Sequence, residues 1–309
     1  MKIVVLDSTA LGGVTEGPGS AAYFSRYAIE HLLDLGHEVC VTNHFGSRLL
    51  DADVVWSEWC NELAFEAALR GVCKKLIIRM RGYDVWSPLD KMPWKNVHAL
   101  VYESPFLKEL AEEQFPPLAM AAKTAVLPTY VIPSGVDLDS IKYLRRDWPV
   151  RPVLALVART VSDKGYQLAF EYARHRNTID MHVTTALPES NPRLYRYLQH
   201  TKPKNVTIHG NVDTATWLND IGATHILSCS IWETLGYTIA EGMAVGCRPL
   251  IHAAPGVELN WPKQHLWTSF SDLDKLVSGT VESDDYRDYV EKRLSAKCGS
   301  EAFAKLVLE

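Results

Sequence analysis

Short apolar runs rich in Val, Ile and Leu recur along the chain with helical segments between them, and this alternation limits the fold more than any other feature. The first run, KIVVLD, lacks polar–apolar alternation, so it reads as a strand buried on both faces, as in a parallel sheet covered by helices. A glycine-rich loop, GGVTEGPGS, follows. Then SAAYFSRYAIEHLLDLG places Phe24, Ala28, Leu32 and Leu35 on one helical stripe and stops at Gly36. HEVCVTNH, DADVVWSEW, KKLIIRMRG and VHALVYES continue the strand series, with helical pieces such as NELAFEAALRG between them. The pattern restarts after IPSGVDLDSIKYLRRDWPVRP with PVLALVAR, KGYQLAFEYARH, MHVTTAL, NVTIHGN, TATWLNDIG, HILSCS, a short apolar helix and RPLIHA. Pro133, Gly135, Pro149 and Pro152 punctuate the join, which puts the boundary near residues 133–151. The expected architecture is α/β, two Rossmann-like doubly wound parallel-sheet domains facing a cleft, with ligands at the carboxyl ends of the strands.

Composition narrows the class without naming a chemistry. At 309 residues two cores are expected rather than one. The N-terminus has too short an apolar run and too early an acid for a signal peptide, and no eighteen apolar residues run together, so a cytoplasmic protein is expected. Cys40, Cys60, Cys73, Cys229, Cys247 and Cys298 form no C-x-x-C pair, which argues against a zinc site and a disulfide framework. A net charge of −5 offers no general attraction for nucleic-acid backbones.

The chemistry concentrates in the second half. The stretch ETLGYTIAEGMAVG carries Glu233 before a helix expected to start around Gly236 and end at Gly246, and Glu241 within it. With 19 Glu in the chain, about one such pair arises by chance at any spacing, so the spacing alone decides nothing. Context is more informative: the helix follows a strand and a small-residue turn, which aims the backbone N–H groups of roughly Thr234 to Tyr237 outward as a site for a phosphate or diphosphate. Two carboxylates for hydroxyls beside N–H groups for phosphate suit a nucleotide sugar; the competing reading is a solvated Glu241 on an amphipathic helix. In ARTVSDKG, Arg159 and Lys164 follow a strand and precede a helix, placed to neutralise a leaving diphosphate or simply to be solvated.

IPSGVDLD, ARTVSDKG, HGNVD, SCSIWETLGYTIAEGMAVGCRPLI and APGVE, in that order over about residues 131–258, resemble the second domain of the retaining glycosyltransferases of family 4, which have the GT-B fold. The resemblance implies that Arg159 and Lys164 hold the donor diphosphate, that Glu233 contacts the donor sugar and that Glu241 takes the ribose hydroxyls. It implies that Thr234, Leu235 and Gly236 approach the phosphates, and that the backbone at Val212 contacts the base of a donor, UDP- or GDP-sugar being the expected type. It implies an acceptor-side domain over residues 1–140, rejoined by a crossover helix over about 284–309, and a donor-binding domain over 150–283.

The first domain fits the pattern less closely. Gly12 and Gly13 look like the family's glycine pair after the first strand. Where the family has a histidine, this chain has Arg81 in RGYD, which cannot act as a base but can serve as a fixed cation toward phosphate or sugar; its expected partner is Asp84. Trp56, Glu58 and Trp59 at the end of a strand either line the acceptor side or pack in the core. Asp51 to Asp53 and Asp137 to Asp139 imitate a metal-binding D-x-D but sit where turns expect acids, so no metal is expected. The activity these features imply is metal-independent sugar transfer to an acceptor such as a glycan, a protein or a modified DNA base. The alternatives are a catalytically silent nucleotide-sugar binder and an NAD-dependent oxidoreductase; the loop around Gly17 and Gly19 weakens the latter, because it lacks the third glycine of a dinucleotide fingerprint.

Overall fold

The structure is a computed structural model that describes residues 1–8, 15–16, 23–46, 51–71, 74–124, 126–146, 151–185 and 191–309. Gly12, Gly13, Gly17, Gly19 and Cys73 lie outside the described residues. The chain forms two compact units, one of Met1–Gly135 with Ala296–Glu309, the other of Val136–Ser295.

In the first unit, strands β1 (Lys2–Leu6), β2 (Thr15–Glu16), β3 (Glu38–Thr42), β4 (Val54–Ser57), β5 (Lys75–Met80), β6 (Ala99–Tyr102) and β7 (Thr129–Val131) form a sheet in the order β2-β3-β1-β4-β5-β6-β7. Every pairing is parallel except that of the two-residue β2, which runs antiparallel to β3 at the edge. The non-alternating runs have their expected cause: β4 and β6 are buried along their whole length. Helix α1 (Tyr23–Asp34) lays Ala28, Ile29 and Leu32 against Ile3 and Val5. Leu35, expected on that stripe, is exposed because the helix has already ended one residue earlier. Helix α2 (Glu62–Arg70) starts on the Asn61 side chain, which accepts from the Leu63 N–H, and stops at Gly71 with φ 59°. Helices α3 (Pro105–Gln114) and α4 (Pro116–Lys123) complete this stretch.

In the second unit, β8 (Val153–Leu156), β9 (Asp180–Thr184), β10 (Val206–His209), β11 (His225–Ser228), β12 (Arg248–His252) and β13 (Leu266–Trp267) form a wholly parallel sheet in the order β10-β9-β8-β11-β12-β13. Helices α5 (Tyr166–His175), α6 (Pro192–Thr201), α7 (Thr214–Asp220), α8 (Tyr237–Ala244), α9 (Phe270–Val277) and α10 (Ser283–Leu294) surround it. Successive strand residues feed opposite faces: Leu154 and Leu156 pack with Phe170 and Leu273, while Ala155 packs with Ile239 and Met243. No described helix is long and apolar enough to cross a membrane.

The segment DDYRDYVEKRLSAKCG, expected as one crossover helix, is two helices. Ser295 breaks them with an extended backbone (ψ 139°); α10 belongs to the second unit and α11 (Ala296–Leu308) to the first. Helix α11 completes the first unit's core with Phe303, Leu306 and Val307, the Phe303 ring 4.3 Å from that of Trp56. Trp56 is therefore a core residue. Gly299 lets the helix approach the segment after β7, since a Cβ there would lie 2.3 Å from the Pro133 carbonyl oxygen. Because Phe303 is fully buried, Phe303→Ala is expected to cost about 3–5 kcal/mol, read as a lower urea midpoint followed by tryptophan fluorescence.

Candidate functional site

The site in the second unit is built from two loops at the carboxyl edge of adjacent strands. After β8 the chain reaches Arg159, which is exposed, and then turns through Ser162–Lys164, a single 3-10 turn closed by Gly165 at φ 66°. Thr184 on β9 holds the start of this loop by accepting from the Ala158 N–H (3.0 Å), and the Tyr166 hydroxyl donates to the Thr184 carbonyl (2.7 Å). The second loop, after β11, touches the first at backbone distance. A Cβ on Gly165 would lie 2.0 Å from the Cys229 carbonyl oxygen, so glycine is required by both space and φ. The Ile231 N–H donates to the Asp163 carbonyl (2.9 Å), a second tie between the loops.

This contact brings Lys164 and Glu233 together. The Lys164 ammonium donates to Glu233 Oε2 at 2.8 Å, with 16% and 20% of the two side chains exposed, so the pair is shielded yet reachable. Ser230 Oγ lies 3.4 Å from the same oxygen. The loop is further staked by His252, whose Nδ1 lies 3.0 Å from the Ser230 carbonyl, by Trp261 Nε1 donating to the Leu235 carbonyl (2.7 Å), and by Asn260 donating to that of Thr234. Gly236, at φ 84°, then caps α8 and accepts from the Ile239 N–H. The helix starts where expected and its last residue is Ala244, two before Gly246. Its N-terminal turn, with the positive end of the peptide dipoles, follows directly on the Lys164–Glu233 pair.

Glu241 lies in α8 beside the start of α7. Burial raises its carboxyl from the ordinary 4.5 to about 7; the Thr214 side chain, bonded to it, acts in the opposite sense, and the negative Asp213 adds to the rise. Asp213 is itself the α7 cap, accepting from the Thr216 N–H at 3.0 Å. Val212, one residue earlier, packs half-buried against the core under α8. A carboxyl on the verge of ionisation thus stands beside a hydroxyl and the end of the Gly210–Asn211–Val212 turn.

In the first unit Arg81 is 5% exposed and belongs to a buried cluster with Arg79, Glu58 and Glu103. Its guanidinium pairs with both glutamates and donates to Ser134 Oγ (3.2 Å), while Arg79 pairs with Glu103 at 2.9 Å and donates to the Ile132 carbonyl. Asp84, expected as the ion-pair partner, instead meets Arg81 through the backbone: its Oδ2 accepts from the Arg81 N–H (2.7 Å) and the Cys60 N–H (2.9 Å). Burial raises the Asp84 carboxyl to about 6 against those two bonds. The Arg81 guanidinium lies 5.9 Å from the centroid of the Trp59 ring, whose Nε1 donates to Asp7.

No family model and no curated protein matches the chain. Solved structures do match it over nearly its whole length. It is similar to sucrose-phosphate synthase from Thermosynechococcus elongatus, at 12% identity over 99% of this chain and 98% of that one, with a TM-score of 0.71. A glycosyltransferase from Rickettsia africae matches at 15% identity over 100% and 98%, TM-score 0.70, and Anabaena HepE, solved in complex with UDP and glucose, at 15% over 99% of both, TM-score 0.67. The fold is GT-B.

Within this GT-B chain the second unit thus holds Arg159, Lys164, Val212, Glu233, Thr234, Leu235, Gly236 and Glu241, and the first holds Arg81. Sequence reasoning missed Thr214 and Asp213 beside Glu241, for which an Asp just before a helix was a usable capping signal, and Glu103 and Ser134 on Arg81, which no spacing links to it. Among the described residues no group of three or more His, Cys, Asp or Glu is placed to hold a metal ion. Two substitutions test the geometry. Gly165→Ala, forced against Cys229 at positive φ, is expected to cost about 2–6 kcal/mol in thermal or urea unfolding. Asp84→Ala, which strips two buried N–H groups of their acceptor, is expected to cost about 2–5 kcal/mol, and Asp84→Asn far less because the amide oxygen still accepts.

Proposed function

We propose that this protein is a cytoplasmic, metal-independent, retaining glycosyltransferase that moves a sugar from a nucleotide diphosphate sugar, UDP- or GDP-linked, to a hydroxyl acceptor. The observation that carries the reading is the Lys164–Glu233 pair set before the N-terminus of α8, with Glu241 further along the same helix. The GT-B neighbours support it, HepE among them with UDP and glucose in its structure.

In this reading the donor diphosphate takes Lys164 from Glu233, with Arg159 and the α8 N-terminus adding positive charge as the phosphate leaves. Glu233, released from the lysine, accepts hydrogen bonds from the donor sugar's hydroxyls. Glu241, ionised, accepts from the ribose hydroxyls, and the backbone at Val212 meets the base. The acceptor oxygen attacks the anomeric carbon on the face the phosphate leaves. As the C–O bond to phosphate breaks and the new C–O bond forms, the acceptor proton passes to the departing phosphate oxygen, so no protein nucleophile or base is needed. Arg81, already bound to two carboxylates, is assigned to holding Trp59 and Ser134 in place rather than to the phosphate.

Thermal-shift measurements with UDP, GDP, ADP and their sugars test the reading: the right nucleotide at a hundred times its Kd stabilises by about 2.7 kcal/mol, and no shift with any of them overturns it. Lys164→Ala is expected to lower turnover by about tenfold to a thousandfold, with wild-type activity unchanged by EDTA.

The raised Glu241 carboxyl gives a pH signature. The empty site holds a proton up to about pH 7, and binding to ribose needs the ionised form, so affinity for a nucleotide sugar rises by up to about tenfold per pH unit below 7 and levels off above it. Glu241→Gln removes this slope. Stability runs the other way: between the ordinary 4.5 and about 7 the folded chain keeps a proton the unfolded chain has lost, so this contribution to stability is present below 4.5 and declines as pH rises through the window.

A further inference from the structure

The first unit contains a cavity of about 700 Å³, within the range of small-molecule sites, roughly 300–1,000 Å³. Its lining comes from the segments that follow β1 (Ser8), β3 (Asn43), β4 (Cys60 to Leu63) and β5 (Ser87 to Met92), the carboxyl edge of four parallel strands. Strand β1 lies between β3 and β4, so the chain leaves it first to one side and later to the other; the cavity spans this point of reversal, where open α/β sheets bind ligands.

The walls specify a chemistry. Leu63, Phe65, Leu89 and Met92 supply an apolar surface. Leu89 and Met92 are themselves buried and held by short turns, the Leu89 carbonyl accepting from Trp94 Nε1 at 2.8 Å and from the Met92 N–H at 3.3 Å, so this wall is preformed. Ser8 and Asn43 place hydroxyl and amide groups at the β1–β3 end. The charged members are Glu62 and Glu66 on α2 and Lys91; among the described lining residues Lys91 is the single cation, and Glu66 is already paired with Arg70. A phosphate entering here meets the Glu62 carboxylate and a Glu66 already held by Arg70, with Lys91 as the one lining cation among the described residues, so the wall offers it no cluster of positive charge.

We propose that this cavity binds the acceptor and that the acceptor is a neutral, compact alcohol with an apolar body, such as an aryl or alicyclic alcohol, rather than a phosphate-linked sugar or lipid. The ring lies against Phe65, Leu63, Leu89 and Met92, and the polar edge faces Ser8 and Asn43. The assignment to the acceptor rests on the transferase reading above; the chemistry of the ligand rests on the cavity.

The test titrates the full chain with 2-naphthol and with 2-naphthyl phosphate, and in parallel with UDP. Expected are binding of 2-naphthol at least about tenfold tighter than of its phosphate, loss of about tenfold in 2-naphthol affinity in Leu63→Trp, which fills the cavity, and unchanged UDP affinity in that variant. Phe65→Ala, at a half-buried position, gives the same loss if Leu63→Trp fails to fold. Glu62→Lys, at an exposed position, is expected to narrow the preference against the phosphate. Equal or tighter binding of the phosphate, or 2-naphthol binding indifferent to both wall variants, overturns the proposal. If UDP binds and 2-naphthol does not, the acceptor class is wrong and the transferase reading stands; if 2-naphthol binds in the cavity and no nucleotide binds, the cavity stands and the transferase reading falls.

Discussion

The second unit's site depends on one contact, the meeting of Gly165 with the Cys229 carbonyl. Two strands adjacent in a parallel sheet present their loops side by side, but side chains normally keep the backbones apart. Here the absence of one Cβ lets them touch, and the Asp163 carbonyl closes the gap with a hydrogen bond. An ammonium and a carboxylate 69 positions apart in sequence are thereby brought within reach of each other and meet at 2.8 Å. Under the proposed transfer such preorganisation would matter, because groups held in position need little rearrangement when charge develops.

The electrostatics of the two units differ in kind. In the second unit the lysine–glutamate pair is partly exposed, with 16% and 20% of the two side chains reached by solvent. In the first unit two arginines and two glutamates balance one another out of reach of water. Removing one member leaves a buried charge unpaired, typically a loss of about 3–5 kcal/mol, so that cluster behaves as framework. It fastens the ends of β5 and β6 to the segment at Ile132 and Ser134, just before the first unit gives way to the second.

The doubly wound pattern was legible because strands buried on both faces are apolar over nearly their whole length, as KIVVL and ALVY are. The turn after β8 and the start of the helix after Gly236 were legible for a related reason: a glycine at a left-handed position leaves a local mark. The surroundings of Arg81 were not. Its nearest acid in sequence is Asp84, but the side chains that hold it arrive from β4's end and β6's end, and only the sheet order brings residues 58, 81 and 103 together. The break at Ser295 was hidden as well, because both flanking helices have good helical sequence and the interruption reflects which core each must serve.

That division of the last two helices has a consequence for how the chain is made. The second unit is continuous in sequence, from Val136 to Ser295, and holds all of its own core when Ser295 has been synthesised. The first unit does not: Trp56, Val54 and Ile77 wait for Phe303, Leu306 and Val307 to cover them. Synthesis from the N-terminus therefore inverts the usual order, with the later-born unit able to finish first and the earlier one carrying an uncovered apolar face until residues 296–308 clear the ribosome. During that interval the uncovered face is open to association, and truncation after Ser295 is expected to leave an aggregation-prone first unit and a folded second one.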